Sequence, residues 1–110
     1  DEGGTLVGYA KLVVPSASDQ VDAGNPAELE QLYVVSERHG SGVGRALLRS
    51  GARHAAGLGC DTLWLGVWER NPKAVRFYRR AGFEQVGRHH FRLGSELQTD
   101  LVMALKLPAT

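Results

Sequence analysis

The apolar residues of the chain follow two patterns in turn, one typical of strands and the other typical of helices. Runs of β-branched and aromatic residues predict five strands, at residues 5–14, 28–35, 61–69, 83–92 and 98–107. Between them, apolar residues at helical spacing predict one helix at residues 42–56 and a second from Pro72 to the turn before Gly82. Asn71 precedes the second helix as its N-cap, with Pro72 at the first helical position. The predicted order is β-β-α-β-α-β-β.

This order predicts an α/β fold, in which a mixed α+β sheet carries the two helices. Each strand–helix–strand unit favours parallel pairing with a right-handed crossover, and the terminal strands predict an antiparallel margin. A glycine-rich segment at residues 36–44 then lies at the C-terminal end of a parallel strand. Open sheets bind their ligands at that edge, so this segment is the first candidate site.

Composition narrows the function classes. The 110 residues are enough for one domain. Thirteen Lys and Arg against 12 Asp and Glu give a net charge of +1, which argues against nucleic-acid binding by bulk charge. No apolar run approaches the roughly 20 residues that span a bilayer, and no basic-then-apolar leader opens the chain. Cys60 is the single cysteine and no Cys/His spacing resembles a zinc site, so we expect a cytoplasmic protein without a metal, membrane or nucleic-acid partner.

The glycine-rich segment reads His39-Gly40-Ser41-Gly42-Val43-Gly44-Arg45. Glycines there let successive N–H groups face one concavity, and the helix dipole adds positive potential, so a phosphate or pyrophosphate is the expected guest. No Lys follows the glycines, which excludes a Walker-type loop, and Arg45 and Leu47 occupy the positions of the third glycine of a dinucleotide fingerprint. From the loop alone, a phosphate site and a glycine-tolerant turn without a ligand are equally supported.

The second helix decides between them. Residues 71–83 fit the pattern N-x-x-A-x-x-F-Y-x-x-x-G-F, and they follow a strand that ends Leu-Tyr-Val-Val and the H-G-S-G-V-G loop. In this combination the chain resembles the GNAT superfamily of acyl-CoA-dependent N-acetyltransferases, over about residues 28–107. The resemblance implies the GNAT fold, acetyl-CoA as co-substrate, no metal, and direct transfer of the acetyl group to an amine.

The resemblance also assigns residues to the coenzyme. Main-chain groups at the strand end would bind the pantetheine arm, the loop amides would hold the pyrophosphate, and the Val34 amide would polarise the thioester oxygen. Asn71 would contact the coenzyme or serve only as the N-cap, and Tyr78 would protonate the departing thiolate or serve only as a core aromatic. His39 stands where the family usually has Gln or Arg, and Arg45 either reaches a phosphate or is solvated. The implied coenzyme-binding residues are Leu32, Tyr33, Val34, His39, Gly40, Ser41, Gly42, Val43, Gly44, Arg45, Asn71 and Tyr78.

The C-terminal half carries a narrower resemblance. The stretches W-L-G-V-W-E and Q-T-D-L-x-M-A look like those of bacterial PaiA-type spermidine/spermine N-acetyltransferases. This resemblance implies a small-molecule amine acceptor, a polyamine such as spermidine or spermine, and leaves a homodimer open. Gly66 stands where ribosomal-protein N-terminal acetylases usually carry Glu, which counts against a peptide N-terminus as acceptor. The alternatives are acetylation of a protein lysine or N-terminus, acetylation of an amine antibiotic, and a non-catalytic acyl-CoA-binding regulator.

Attack on the thioester requires a neutral amine and therefore a base. Glu28 and Glu30 share one face of a strand, and we expect Glu30, nearer the catalytic end, to be the base or the polyamine anchor. A pair of solvated glutamates is the alternative, and Glu69 is a second candidate base. The carboxylates available to a polycation are Glu28, Glu30, Glu69, Glu96 and Asp100. The residues interpreted as edge or structural positions are Cys60, His89 and His90.

Members of the resembled family usually carry a further strand and one or two helices ahead of the strand predicted at residues 5–14. The resemblance therefore implies a single GNAT domain over residues 1–110 that lacks its N-terminal strand and helices. Because those helices wall the acceptor site in the family, we expect an exposed apolar flank on the first strand.

Overall fold

Seven elements of secondary structure follow one another in the predicted order. The computed structural model describes residues 7–35, 37 and 39–108. The elements are β1 (Gly8–Val13), β2 (Pro26–Val34), α1 (Val43–Gly57), β3 (Thr62–Trp68), α2 (Pro72–Arg80), β4 (Glu84–Leu93) and β5 (Glu96–Lys106). The predicted order is confirmed, and the element ends lie within three residues of the predicted ones. Residues 5 and 6 of the first predicted strand lie outside the described residues.

The strands form one sheet in the order β1-β2-β3-β5-β4. β2 and β3 are parallel and joined by α1, which confirms the first predicted parallel pair, and all other neighbours are antiparallel. The second predicted parallel pair is wrong, because β5 lies between β3 and β4. The cause is burial: β5 is buried without interruption from Leu101 to Met103, which is typical of an interior strand, whereas β4 is mostly exposed and forms an edge. The predicted antiparallel margin is confirmed, with β1 and β4 as the two edge strands.

Both helices cover the same face of the sheet. Leu63 and Leu65 point to one face of β3 and are almost completely buried, as is Phe83 just after α2. Leu48 of α1 and Val75 of α2 belong to the same buried cluster. The core therefore lies between the helices and one side of the sheet, and alternate residues of β3 face the other side.

Gly8 allows β1 to approach β2 and α1 closely. A Cβ at this position would lie 2.5 Å from the Tyr33 carbonyl oxygen and 2.9 Å from Leu47 Cδ1. Because a backbone oxygen cannot rotate aside, we expect Gly8→Ala to lower the free energy of unfolding by about 1–3 kcal/mol, measured by urea denaturation. Gly51→Ala in α1 is the matched control: its Cβ would meet only Leu12 at 3.8 Å, and alanine should raise the free energy of unfolding by about 0.5–1 kcal/mol. Equal stability of the two variants would contradict the close approach.

Candidate active site

β2 and β3 pair only at their N-terminal ends. The parallel ladder joins residues 26–28 of β2 to residues 62–64 of β3. β2 then continues to Val34 and β3 to Trp68 with no further pairing recorded between these two strands. We call the gap between residues 29–34 and residues 65–68 the wedge. It opens toward the C-terminal ends of both strands, which is the edge where ligands bind in open sheets.

A β-bulge explains why the two strands separate. The β1–β2 register changes between Lys11 and Leu12, which lie opposite Gln31 and Leu29, so Glu30 has no residue opposite it. A bulge bends its strand and increases the local twist. β2 is therefore bent within two residues of its last pair with β3, and the wedge begins at that point.

Main-chain groups of β2 face the wedge at alternate residues. In an antiparallel ladder, pairs that exchange hydrogen bonds alternate with pairs that do not. The Val35 N–H donates to the Val7 carbonyl at 2.9 Å, which assigns Val35 and Tyr33 to hydrogen-bonded pairs with β1. The Tyr33 main chain is therefore directed at β1. The N–H and C=O groups of Leu32 and Val34 point away from β1 into the wedge.

The glycine loop ends at an uncapped helix N-terminus. Gly40 and Gly42 have φ angles of 81° and 91°, in the left-handed region that favours glycine. Gly42 is the N-cap of α1, with no side-chain cap and no acidic residue in the first turn. The N–H groups of Val43, Gly44 and Arg45 have no acceptor within the helix, so they present a concentration of donors to an anion.

These donors lie at the mouth of the wedge. The His39 ring donates from Nε2 to the Val34 carbonyl at 2.8 Å, because a carbonyl can only accept. A Cβ on Gly44 would lie 3.6 Å from both Val34 Cγ2 and Phe77 Cζ. The loop, the end of β2 and α2 therefore meet at one place. With its carbonyl occupied by His39, Val34 offers the wedge its N–H.

α2 carries the other two predicted residues. Asn71 Oδ1 accepts from the Ala74 N–H at 3.3 Å, which confirms its role as the N-cap. The half-buried Tyr78 ring makes edge contacts with Phe77 and Phe83, at centroid distances of 5.2 and 5.7 Å. Burial raises the pKa of Tyr78 above its ordinary value of 10.0, so the phenol keeps its proton at neutral pH. Within the described part of the chain, the hydroxyl has no hydrogen-bond partner.

Arg45 is exposed on the first turn of α1 and lines a groove of about 290 Å³ between the two helices. Arg49 and Arg80 line the same groove. None of the three makes an ion pair with another residue that the structure describes. Arg45 therefore remains available to an anion near the helix N-terminus.

A cavity of about 430 Å³ lies on the side of the sheet away from the helices. Its floor includes Trp64 and Gly66 of β3, which alternate with the core residues of that strand. Glu28 and Glu30 of β2 line it where the wedge begins, so the cavity and the wedge adjoin. The complete lining is Ala17, Ser18, Gln20, Glu28, Leu29, Glu30, Trp64, Gly66, His89, Asp100 and Val102.

A sequence profile of the acetyltransferase (GNAT) family matches residues 1–83, which is most of the chain. The chain belongs to the GNAT family. An uncharacterised N-acetyltransferase of Mycobacterium tuberculosis is 38% identical over 104 residues, which cover 94% of this chain and 62% of that protein. The chain thus spans less than two thirds of the length of this relative.

Two solved structures share the fold. Nourseothricin acetyltransferase is 32% identical with a TM-score of 0.76, and the match covers 97% of this chain and 61% of the other. Arabidopsis thaliana NAA60, in complex with a bisubstrate analogue, reaches a TM-score of 0.80 at 22% identity, covering 100% of this chain and 71% of the other. At 22% identity, the similarity to NAA60 shows a shared fold and nothing further.

In this GNAT protein, some of the predicted carboxylates line the cavity and others lie outside it. Glu28, Glu30 and Asp100 converge on it, whereas Glu69 pairs with Arg88 at 3.5 Å and is not in the lining. Glu96, at the start of β5, is exposed and also outside the lining. His89 and His90 lie on an edge strand as predicted, and Cys60 is buried in the core.

From the sequence, Asp100 was predicted only to be one of several carboxylates available to a polycation. Its place in the cavity beside Gly66 was not predicted. This side chain is half-buried on β5, and burial raises its pKa above the ordinary value of 3.8, partly offset by the charge of His89. No local signal in the sequence could have found it, because the pairing of β5 with β3 is what places Asp100 beside Gly66.

The described residues offer neither a cluster of metal-binding side chains nor a helix that could span a membrane. Among residues 7–35, 37 and 39–108, no group of three or more His, Cys, Asp or Glu side chains is arranged to hold a metal ion. In the same described part of the chain, neither helix combines the length and apolar character needed to cross a membrane.

Proposed function

We propose that this chain binds acetyl-CoA in the wedge and catalyses direct transfer of the acetyl group to a primary amine in a ternary complex. The observation that carries this proposal is the wedge itself, with unpaired main-chain groups of β2 along it and the uncapped N-terminus of α1 at its mouth. An extended pantetheine arm can complete the hydrogen bonds that β3 leaves unmade, and a pyrophosphate can accept from the first-turn amides. Membership of the GNAT family supports the same reaction.

The main-chain roles divide between strand and loop. Leu32 and Val34 bind the pantetheine arm, and the Val34 N–H stabilises the negative charge that develops on the thioester oxygen. The amides of residues 40–45 hold the pyrophosphate, and His39 fixes this loop to the strand end. Tyr33 contributes through its exposed side chain, because its main chain is directed at β1.

Two side chains of α2 complete the coenzyme site in this proposal. Asn71 uses Oδ1 as the cap, which leaves its Nδ2 hydrogens to donate to the coenzyme. Tyr78 donates its phenolic proton to the departing thiolate. The raised pKa of Tyr78 keeps that proton in place until the thiolate forms.

The acceptor in this proposal is a polyamine such as spermidine or spermine. Among the described residues, the lining of the adjoining cavity has three carboxylates and no Lys or Arg, which suits a polycation. The indole of Trp64 offers an aromatic face that attracts ammonium groups. The resemblance of the C-terminal half to PaiA-type enzymes points to the same acceptor, and Glu30 serves as its anchor.

A second candidate acceptor is an amine antibiotic. Nourseothricin acetyltransferase shares 32% identity with nearly the whole chain, and such a ligand is also cationic. The same cavity would receive it, because charge complementarity does not distinguish a polyamine from an antibiotic with several ammonium groups.

Thiol release with a panel of amines tests the proposed function. Wild-type protein with acetyl-CoA should release free thiol fastest with spermidine, more slowly with nourseothricin and slowest with a lysine peptide. Gly42→Val is the control: a β-branched residue does not adopt the φ of 91° at the N-cap, so binding of acetyl-CoA and thiol release should fall together with every amine.

Other outcomes separate the alternatives. Fastest release with nourseothricin would favour the second candidate. Acetyl-CoA binding without thiol release from any amine would indicate a non-catalytic binding module. Absence of acetyl-CoA binding would overturn the assignment of the wedge.

A further inference from the structure

Asp100 occupies space that a side chain on β3 would otherwise fill. Residue 66 is glycine, and a Cβ there would lie 3.3 Å from Asp100 Oδ2 and 3.8 Å from Asp100 Cβ. Asp100 projects from the neighbouring strand β5, whose residues 100–106 pair with every residue of β3. The carboxylate therefore lies over the part of β3 that borders the wedge, inside the cavity.

The surroundings leave the Asp100 carboxylate free for a ligand. It is only partly exposed, and the structure records no hydrogen bond or ion pair for it within the described residues. The titratable groups that face the cavity with it are Glu28 and Glu30 from β2 and His89 from β4. β3 and the loop at residues 17–20 contribute no titratable side chain to the lining.

The two glutamates on β2 have other partners. Glu30 forms an ion pair with Lys11 at 2.7 Å, and Glu28 accepts a hydrogen bond from Ser16 Oγ at 2.9 Å. Protonation of Glu30 would neutralise its charge and so weaken its ion pair with Lys11. Protonation of Asp100 weakens no such ion pair among the described residues.

We propose that Asp100, and not Glu30, is the general base that takes the proton from the acceptor ammonium, in the space that Gly66 leaves open. This inference rests on the proposed transfer to a primary amine. Glu28 and Glu30 then hold the remainder of a cationic acceptor and set its affinity.

The protons and electron pairs of this reaction balance. The ammonium first passes one proton to Asp100, and the freed nitrogen lone pair forms a bond to the thioester carbon. The tetrahedral intermediate then loses a second proton from nitrogen as the C–S bond breaks, and the thiolate takes a proton from Tyr78. The second proton restores the Tyr78 phenol, and the first leaves Asp100 for solvent past the exposed His89. The products are the amide, free thiol and one proton.

The test compares the pH dependence of kcat/KM for spermidine in wild-type, Asp100→Asn and Glu30→Gln proteins. Asp100→Asn should lower kcat/KM by about 10²-fold or more at pH 7, the usual contribution of a general base. Without a base, the variant depends on the neutral fraction of an amine whose pKa is close to that of lysine, about 10.4. The loss should therefore shrink by about tenfold for each unit of rising pH. A purely structural role of Asp100 would give a loss that does not depend on pH.

Glu30→Gln is the matched variant, because it removes another carboxylate from the same cavity. It should raise KM for spermidine without the pH-dependent loss. Glu84→Gln, exposed at the start of β4, should leave the profile unchanged. If Glu30→Gln shows the pH-dependent loss and Asp100→Asn does not, the inference is overturned and Glu30 is the base.

Gly66→Ala provides a second measurement that leaves the Asp100 side chain itself unchanged. Its Cβ displaces the carboxylate by a few tenths of an ångström, so it should lower kcat/KM in the wild-type background. Combined with Asp100→Asn it should add little, and full additivity would count against the inference. A wild-type protein that releases no thiol with any amine would instead overturn the proposed function, and with it the need for a base.

Discussion

Tyr78→Phe is expected to lower kcat by about 10²–10⁴-fold while acetyl-CoA binds with unchanged affinity. The variant removes one oxygen atom from the site. It keeps the aromatic ring, and with it the edge contacts to Phe77 and Phe83. The free energy of unfolding should therefore stay close to that of the wild type, and the loss should fall on turnover alone.

The direction of this effect follows from the proton that the phenol holds. Burial raises the pKa of Tyr78 above 10.0, so wild-type protein carries the proton throughout the neutral range and loses it only at more alkaline pH. A thiolate that leaves without a proton donor returns readily to the carbonyl carbon, which slows productive collapse of the intermediate. Wild-type kcat should fall above the pKa of Tyr78, and the kcat of the variant should not show that fall.

Steady-state turnover and isothermal titration with acetyl-CoA separate the two quantities. Tyr9→Phe is the control, because Tyr9 is an exposed phenol on β1 that donates to Gln31 at 3.3 Å. It should leave kcat unchanged. Wild-type turnover in Tyr78→Phe would show that Tyr78 acts only as a core aromatic, with water as the proton donor.

The elements of this fold were predictable because each carries a local signal. Asn71 and Pro72 mark the start of α2, and the structure confirms the cap by the bond from Ala74. Gly94 and Ser95 mark the β4–β5 turn, where Gly94 has a φ of 60°. Such signals act over a few residues and are independent of the rest of the chain.

The strand order was not predictable from those signals. The position of β5 between β3 and β4 depends on burial of both faces of β5, which is a property of the folded sheet. The wedge likewise arises from an unpaired residue, Glu30, that only the register with β1 reveals. The juxtaposition of Gly66 and Asp100 joins positions 34 residues apart, through pairing that no local pattern indicates. The segments that form the proposed coenzyme site were therefore predictable from motifs, whereas the convergence of carboxylates on the proposed acceptor cavity was not.

The position of the Tyr78 ring depends on Phe83, a residue of the hydrophobic core. Phe83 follows the end of α2, its N–H donates to the Tyr78 carbonyl at 3.0 Å, and its ring contacts the Tyr78 ring. It is also one of the largest fully buried side chains. The side chain that anchors the hydrophobic core thus also holds the proposed proton donor in position.

Phe83→Ala should consequently be more destabilising than Gly8→Ala or Tyr78→Phe. Loss of a buried phenylalanine costs about 3–5 kcal/mol, against a total stability of about 5–15 kcal/mol for a typical domain. Chemical denaturation should show this loss, and acetyl-CoA at a hundredfold excess over its Kd should restore about 2.7 kcal/mol of it if the wedge still forms.

Phe83→Leu separates the two roles of this residue. Leucine retains most of the buried volume but offers no ring edge to Tyr78, so it should cost less stability than alanine while still lowering kcat. Phe91→Ala, on the edge strand β4, serves as the control and should change the free energy of unfolding far less than Phe83→Ala. If Phe83→Leu instead kept full turnover, the position of Tyr78 would be set by α2 alone, and the contact between the two rings would contribute to stability without contributing to catalysis.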